Sequence, residues 1–158
     1  QTLSKSIGVL ATKGTLSSDL FSATAGEFTT GISKIEVIGK GLVPLIEEGK
    51  IDSPEVRLLL KKYTQPMLEA SIDYLVLGCS HYPYLIPQLR NIIPKHIKII
   101  DSGEAVAKQT KNILQQNLSL KTETSPPKLQ FYSNASLETM RLLLKDYLEE
   151  ITLEEKDF

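Results

Sequence analysis

Short apolar runs alternate along this chain with longer stretches in which apolar positions recur every three or four residues. The alternation predicts strands and helices in turn. Ser6-Ile7-Gly8-Val9-Leu10-Ala11 reads as a buried strand, followed by a hydroxyl-rich turn at Thr12-Lys13-Gly14-Thr15. A helix is predicted from about Ser17 to Phe28, and a second strand at Ile35-Glu36-Val37-Ile38-Gly39. Gly41 to Gly49 is read as a loop or short helix ending in the paired acids Glu47 and Glu48. The clearest helix start is Asp52-Ser53-Pro54-Glu55. Ser53 can cap, Pro54 suits the first helical position, and Glu55 suits the positive end of the helix dipole. Val56, Leu59, Leu60, Tyr63 and Met67 follow at helical spacing and should face a core. Pro66 lacks a backbone donor and should kink or divide that helix.

The run Asp73-Tyr74-Leu75-Val76-Leu77 predicts a third strand, Tyr84 to Ile93 a helix, and Ile97-Lys98-Ile99-Ile100 a fourth strand. Asp101-Ser102 can cap a helix carrying Val106, Ile113 and Leu114. Thr122 to Pro127, polar and proline-rich, is expected to be an exposed connection. Leu129-Gln130-Phe131-Tyr132-Ser133 reads as a strand. Ser136 then opens an amphipathic helix with Leu137, Met140, Leu144, Tyr147 and Leu148 on one side. The acidic tail after Glu149 is expected to fray. Strand–helix alternation of this kind gives the α/β class, with a mainly parallel sheet flanked by helices and right-handed crossovers.

Composition narrows the function classes. A formal net charge of −1 leaves no basic footprint for nucleic acid. No apolar run is long enough to cross a bilayer, and no signal-peptide core follows Gln1-Thr2-Leu3-Ser4-Lys5. The absence of an initiator methionine fits an internal fragment or a processed chain. A single cysteine cannot form an intrachain disulfide, and a reducing, cytoplasmic setting is the simplest reading. No glycine-rich nucleotide motif is present.

That cysteine, Cys79, lies in Leu77-Gly78-Cys79-Ser80-His81-Tyr82-Pro83, where a strand gives way to a loop. Chemistry in α/β folds gathers at such strand ends. A lone cysteine is often only a small apolar packing residue. Here the polar Ser80-His81 pair follows it, and a nearby cation or helix N-terminus raises thiolate character. His81 is placed to supply the first, and the helix expected from Tyr84 the second. A thiolate so placed can act as base or nucleophile. His96 has no comparable context and is assigned to the surface. Cys79 with His81 is a weak metal signal, because zinc wants three or four ligands, and no metal site is expected. Glu47 directly follows the apolar run Leu42 to Ile46, which sets it apart from the ordinary charged end at Glu48. Thr12 and Thr15 either turn the chain or present hydroxyls to a carboxylate at the end of the first strand.

Gly78-Cys79-Ser80-His81-Tyr82-Pro83 resembles the second catalytic-cysteine motif of the glutamate racemases, within the aspartate/glutamate racemase superfamily. Gly8 to Thr15, Leu42-Val43-Pro44-Leu45-Ile46-Glu47 and Ile100-Asp101-Ser102-Gly103 extend the likeness over nearly the whole chain. The His-Tyr-Pro ending favours the glutamate enzymes over aspartate and hydantoin racemases. The resemblance implies cofactor-independent, two-base interconversion of L- and D-glutamate, which supplies D-glutamate for peptidoglycan. Cys79 would be one of two thiols, tuned by His81, with Glu47 a supporting acid. Ser80 and His81 lie at substrate-contact positions, and Thr12 is a weaker contact. The family's first lobe, with its Asp-Ser-Gly and Cys-Asn-Thr motifs, has no counterpart here. Residues 1–100 are therefore expected to form the second lobe, and residues 101–158 a segment that completes the first and exposes an apolar face without it. The implied partners are glutamate and that N-terminal lobe, with a homodimer left open; nucleic acid and membrane are not among them. Two rival readings remain: another amino-acid or hydantoin racemase, or a non-catalytic α/β binding module with a structural cysteine.

Overall fold

The computed structural model describes residues 2–117 and 126–158. Four parallel strands form the main sheet: β1 (Ser6–Ala11), β2 (Ser33–Ile38), β3 (Tyr74–Gly78) and β4 (Lys98–Ile100), in the order β2-β1-β3-β4. β1 is central, and five of its six residues are buried, which is why it reads as an almost unbroken apolar run. β3 beside it alternates, with Leu75 and Leu77 buried. Gly78 pairs with Ala11, so the two central strands end level and the Cys79 loop starts beside the loop that leaves β1.

The helices in chain order are α1 (Lys13–Leu16), α2 (Asp19–Phe28), α3 (Leu42–Glu47), α4 (Pro54–Glu69), α5 (Ile86–Arg90), α6 (Gly103–Gln116) and α7 (Leu137–Leu143). Ser53 caps α4 as expected, its hydroxyl accepting from the Val56 N–H. Val56, Leu60 and Met67 are fully buried, in one core with Leu10, Leu42, Ile46, Leu75, Tyr82, Leu85, Leu89 and Ile97. Leu59 and Tyr63 pack at its margin. Thr64, on the same face, is buried because its hydroxyl donates to the Leu60 carbonyl at 2.8 Å and needs no other partner.

Several expectations are corrected. Pro66 does not divide α4, which runs unbroken to Glu69. The Lys62 carbonyl that loses its partner lies on an exposed stretch of the helix. The hydroxyl-rich turn at Thr12–Thr15 is a single helical turn, α1, capped by Thr12. The helix expected from Tyr84 to Ile93 is a 3-10 turn at Tyr82–Leu85 followed by the five-residue α5. Pro83 and Pro87 lack N–H groups, and the Ile86 N–H donates to the Pro83 carbonyl in the tighter spacing. Ser102 makes no capping bond; Asp101 does so, accepting from the Gly103 N–H at 2.7 Å. The helix opened by Ser136 ends at Leu143, before a second 3-10 turn at Lys145–Tyr147.

The acidic tail is not frayed. Ile151–Glu155 forms β6, which pairs in parallel with β5 (Leu129–Ser133) in a separate two-stranded sheet. In β6 Ile151 and Leu153 are partly buried, while Thr152 and the glutamates are exposed. The part of the expected connection at residues 122–125 lies outside the described residues; Pro126 and Pro127 are exposed. α6 buries no residue, and Val106, Ile113 and Leu114 form an exposed apolar stripe along it. No helix among the described residues is long and apolar enough to cross a membrane.

Candidate active site

The ends of β1 and β3 and the end of α3 bring the singled-out side chains together. Cys79 is the first residue after β3 and is partly buried against the margin of the core. The loop folds back at once, the Tyr82 N–H donating to the Cys79 carbonyl at 3.2 Å. This tight return places His81 Nδ1 3.9 Å from the Cys79 sulfur. The other ring nitrogen, Nε2, lies 3.0 Å from Glu47 Oε1 at the last residue of α3. Thiol, imidazole and carboxylate thus form a continuous row, although Glu47 is 34 residues away in sequence.

The row has a defined polarity. A carboxylate only accepts hydrogen bonds, so His81 Nε2 carries a proton toward Glu47. In the neutral ring, Nδ1 is then left with its lone pair facing the thiol. His81 can take the thiol proton there, leaving a thiolate beside an imidazolium whose charge Glu47 balances. The helix N-terminus expected to help the thiolate is missing, because a 3-10 turn follows the loop.

The two threonines bear on the same point. Thr15 Oγ1 donates to the Gly78 carbonyl at 3.1 Å and lies 3.0 Å from Thr12 Oγ1. Thr12 is therefore tied, through Thr15, to the residue preceding Cys79. It also lines an open groove of ≈ 420 Å³ with Lys13, Ile38, Lys40 and Val43. Ser80 is exposed, its hydroxyl 3.5 Å from His81 Nδ1. All the singled-out residues thus cluster at the C-terminal edge of the sheet, while His96 is exposed outside this group. Thr15, read from the sequence with Thr12 as a turn residue or a hydroxyl facing a carboxylate, is bonded to the end of β3. Tyr82, fully buried, bonds to the Gly39 carbonyl through its hydroxyl. Its motif position gave no hint of that contact. Among the described residues no group of three or more His, Cys, Asp or Glu side chains is gathered as a metal ion would need.

A family model described as Asp/Glu/Hydantoin racemase matches residues 1–110. The chain belongs to the Asp/Glu/hydantoin racemase family. A glutamate racemase of Pseudomonas putida is 44% identical to this racemase-family chain over 138 residues, 87% of the chain and 52% of the relative. That of a Roseiflexus species is 45% identical over 116 residues, 73% of the chain and 43% of the relative. Among solved structures, the RacE1 glutamate racemase isoform of Bacillus anthracis superposes with a TM-score of 0.84 at 26% identity, covering 99% of this chain and 59% of that one. A Francisella tularensis glutamate racemase solved with D-glutamate gives 0.81 at 26% identity, covering 97% and 58%. The racemase-family chain spans about half the length of the curated relatives it matches.

Proposed function

We propose that this chain is part of a glutamate racemase and supplies one of its two acid/base thiols. The observation that carries the reading is the row Cys79–His81–Glu47 at the C-terminal edge of the parallel sheet. The glutamate racemases among the relatives and structural neighbours favour glutamate over aspartate or a hydantoin.

In this reaction one thiolate takes the α-proton of glutamate and a thiol on the opposite face returns a proton to the same carbon. Bond breaking and bond forming balance, and the two thiols exchange protonation states. Cys79 is the group on one face. His81 accepts its proton through Nδ1, and Glu47 keeps the ring in the tautomer that allows this. The α-proton is weakly acidic, so donors fixed in advance must stabilise the charge that develops on the carboxylate side. Thr12 and Ser80 are candidates for that task. The second thiol belongs to an N-terminal lobe, in the half of the relatives' length that this chain does not span.

Residues 1–100 form the second lobe in this scheme, and residues 101–158 return to complete the first. The separate β5–β6 sheet and the uncovered stripe on α6 support that division. The product D-glutamate serves peptidoglycan synthesis in the cytoplasm, and a homodimer remains compatible. The test is incubation of the complete protein with L-glutamate in D2O. Deuterium at Cα together with D-glutamate is expected; exchange of aspartate or a hydantoin in its place would overturn the substrate assignment.

A further inference from the structure

The row of thiol, imidazole and carboxylate spans two separate segments. Cys79 and His81 share one loop, whereas Glu47 ends α3. The His81–Glu47 pair is itself partly exposed, with 44% of the Glu47 side-chain surface open to solvent. An ion pair so exposed is too weak to hold two segments in register.

A stronger link lies beneath it. Tyr82 is fully buried. Its hydroxyl crosses from the Cys79–His81 loop to the turn that starts α3, where it donates to the Gly39 carbonyl at 3.0 Å. That turn is anchored in its own right. The Gly39 N–H donates to the Ala11 carbonyl at the end of β1, at 2.9 Å, and the Gly39 carbonyl also receives the Leu42 N–H, at 3.3 Å, where α3 begins. The hydroxyl has room only because residue 39 lacks a side chain: a Cβ there would fall on the Tyr82 oxygen and 2.9 Å from Leu42 Cδ1. Burial first, then the charges of Cys79 and Tyr63, hold the phenol well above its ordinary value of 10.0, so it remains a donor throughout the neutral range.

We infer that Tyr82 is a positioning residue: its buried hydrogen bond to Gly39 fixes α3 against the Cys79 loop, keeping Glu47 on His81 Nε2 and Nδ1 toward the sulfur. This rests on reading Cys79, His81 and Glu47 as the acid/base unit. Tyr82 is fully buried, and its hydroxyl bonds to Gly39 rather than to Cys79, His81 or Glu47. It acts through the geometry of those three groups.

The chain has two histidines, so imidazole 15N spectra report on His81 with exposed His96 as internal reference. The wild-type chain should show His81 in a single Nε2–H tautomer. Tyr82→Phe keeps the ring and removes only the hydroxyl. It should shift His81 toward the tautomer mixture given by Glu47→Gln, with His96 unmoved and amide dispersion retained. In the complete protein kcat should fall on the order of tenfold with KM unchanged. If Tyr82→Phe fails to fold, Gly39→Ala reads the same contact from the other side, since its Cβ displaces the hydroxyl. A folded variant of either kind with the wild-type His81 tautomer would reduce Tyr82 to a packing residue and overturn the inference. If the tautomer shifts as expected but the complete wild-type protein does not racemise glutamate, the racemase reading fails and the positioning role stands.

Discussion

At residue scale the proposed racemase reading turns on the sulfur of Cys79. A serine in its place is nearly isosteric, but its hydroxyl is a far weaker acid than a thiol and cannot serve as base near neutral pH. In the complete protein, Cys79→Ser should lower racemisation by on the order of a thousandfold while the circular dichroism spectrum is unchanged. His81→Asn should cost less, because it removes the proposed proton acceptor and leaves the thiol. Equal losses for the two variants, with Cys79 alkylating at its normal rate in the histidine variant, would give His81 a direct part in proton transfer to substrate. At the opposite end of β3 a second carboxylate serves stability. Asp73 accepts hydrogen bonds from the Thr2 hydroxyl at 2.6 Å, from the Leu3 and Ser4 N–H groups at 2.5 and 3.2 Å, and from the Ser4 hydroxyl at 3.0 Å. Burial pushes its pKa up, and these four bonds more than offset that, holding the carboxyl well below its ordinary 3.8. The unfolded chain then binds the proton more readily than the folded one. The stability Asp73 contributes is complete above pH of about 4 and drains away as pH falls toward the depressed folded value. Urea midpoints measured from pH 6 downward should fall less steeply for Asp73→Asn than for wild type. Parallel curves would show that these bonds carry no pH-linked stability.

At the scale of elements, capping separates the two helix starts that the sequence made look alike. Ser53 accepts from the Val56 N–H at 3.2 Å, whereas Ser102 makes no capping bond. Ser53→Ala should therefore lower unfolding free energy by about 1 kcal/mol, and Ser102→Ala should change it by only a few tenths. Chemical denaturation of the two variants checks this, and equal losses would contradict the assignment of Asp101 as the cap of α6. The contrast also shows where sequence reading succeeds. β1 was legible because a parallel strand buried on both faces must be apolar along its length, and β3 because its short apolar run is bounded by Asp73 and Gly78. α4 was legible because its cap, its N-terminal proline and its apolar spacing all agree. Tyr82 to Arg90 was misread because apolar spacing cannot distinguish an α-helix from a 3-10 turn, and the prolines that decide between them also suit a helix start. β6 was hidden by its charge. Ile151 and Leu153 keep a two-residue period, but the glutamates beside them read as a solvated tail. In the site, Cys79 and His81 were legible through proximity in sequence. Family resemblance placed Glu47 near the site, but its contact with His81 was not legible, because it depends on how α3 lands against the loop.

For the whole molecule, the proposed division leaves only part of the site on this chain. The chain presents the row Cys79–His81–Glu47 at one sheet edge, together with an exposed apolar stripe on α6 and a small sheet of two strands. A proton exchange that inverts Cα needs a group on each face, and the single cysteine places a thiol on only one. The chain by itself should therefore leave the optical rotation of glutamate unchanged and place no deuterium at Cα beyond a blank in D2O. Adding the separately produced N-terminal half of the complete protein should restore both signals. It should also reduce binding of an apolar dye, since on the proposed division that half packs on Val106, Ile113 and Leu114. Restoration should vanish when Cys79→Ser is carried on this chain, although dye displacement persists. Steady racemisation by the chain alone would mean that a second base lies within it, and the division of the site between two lobes would be wrong.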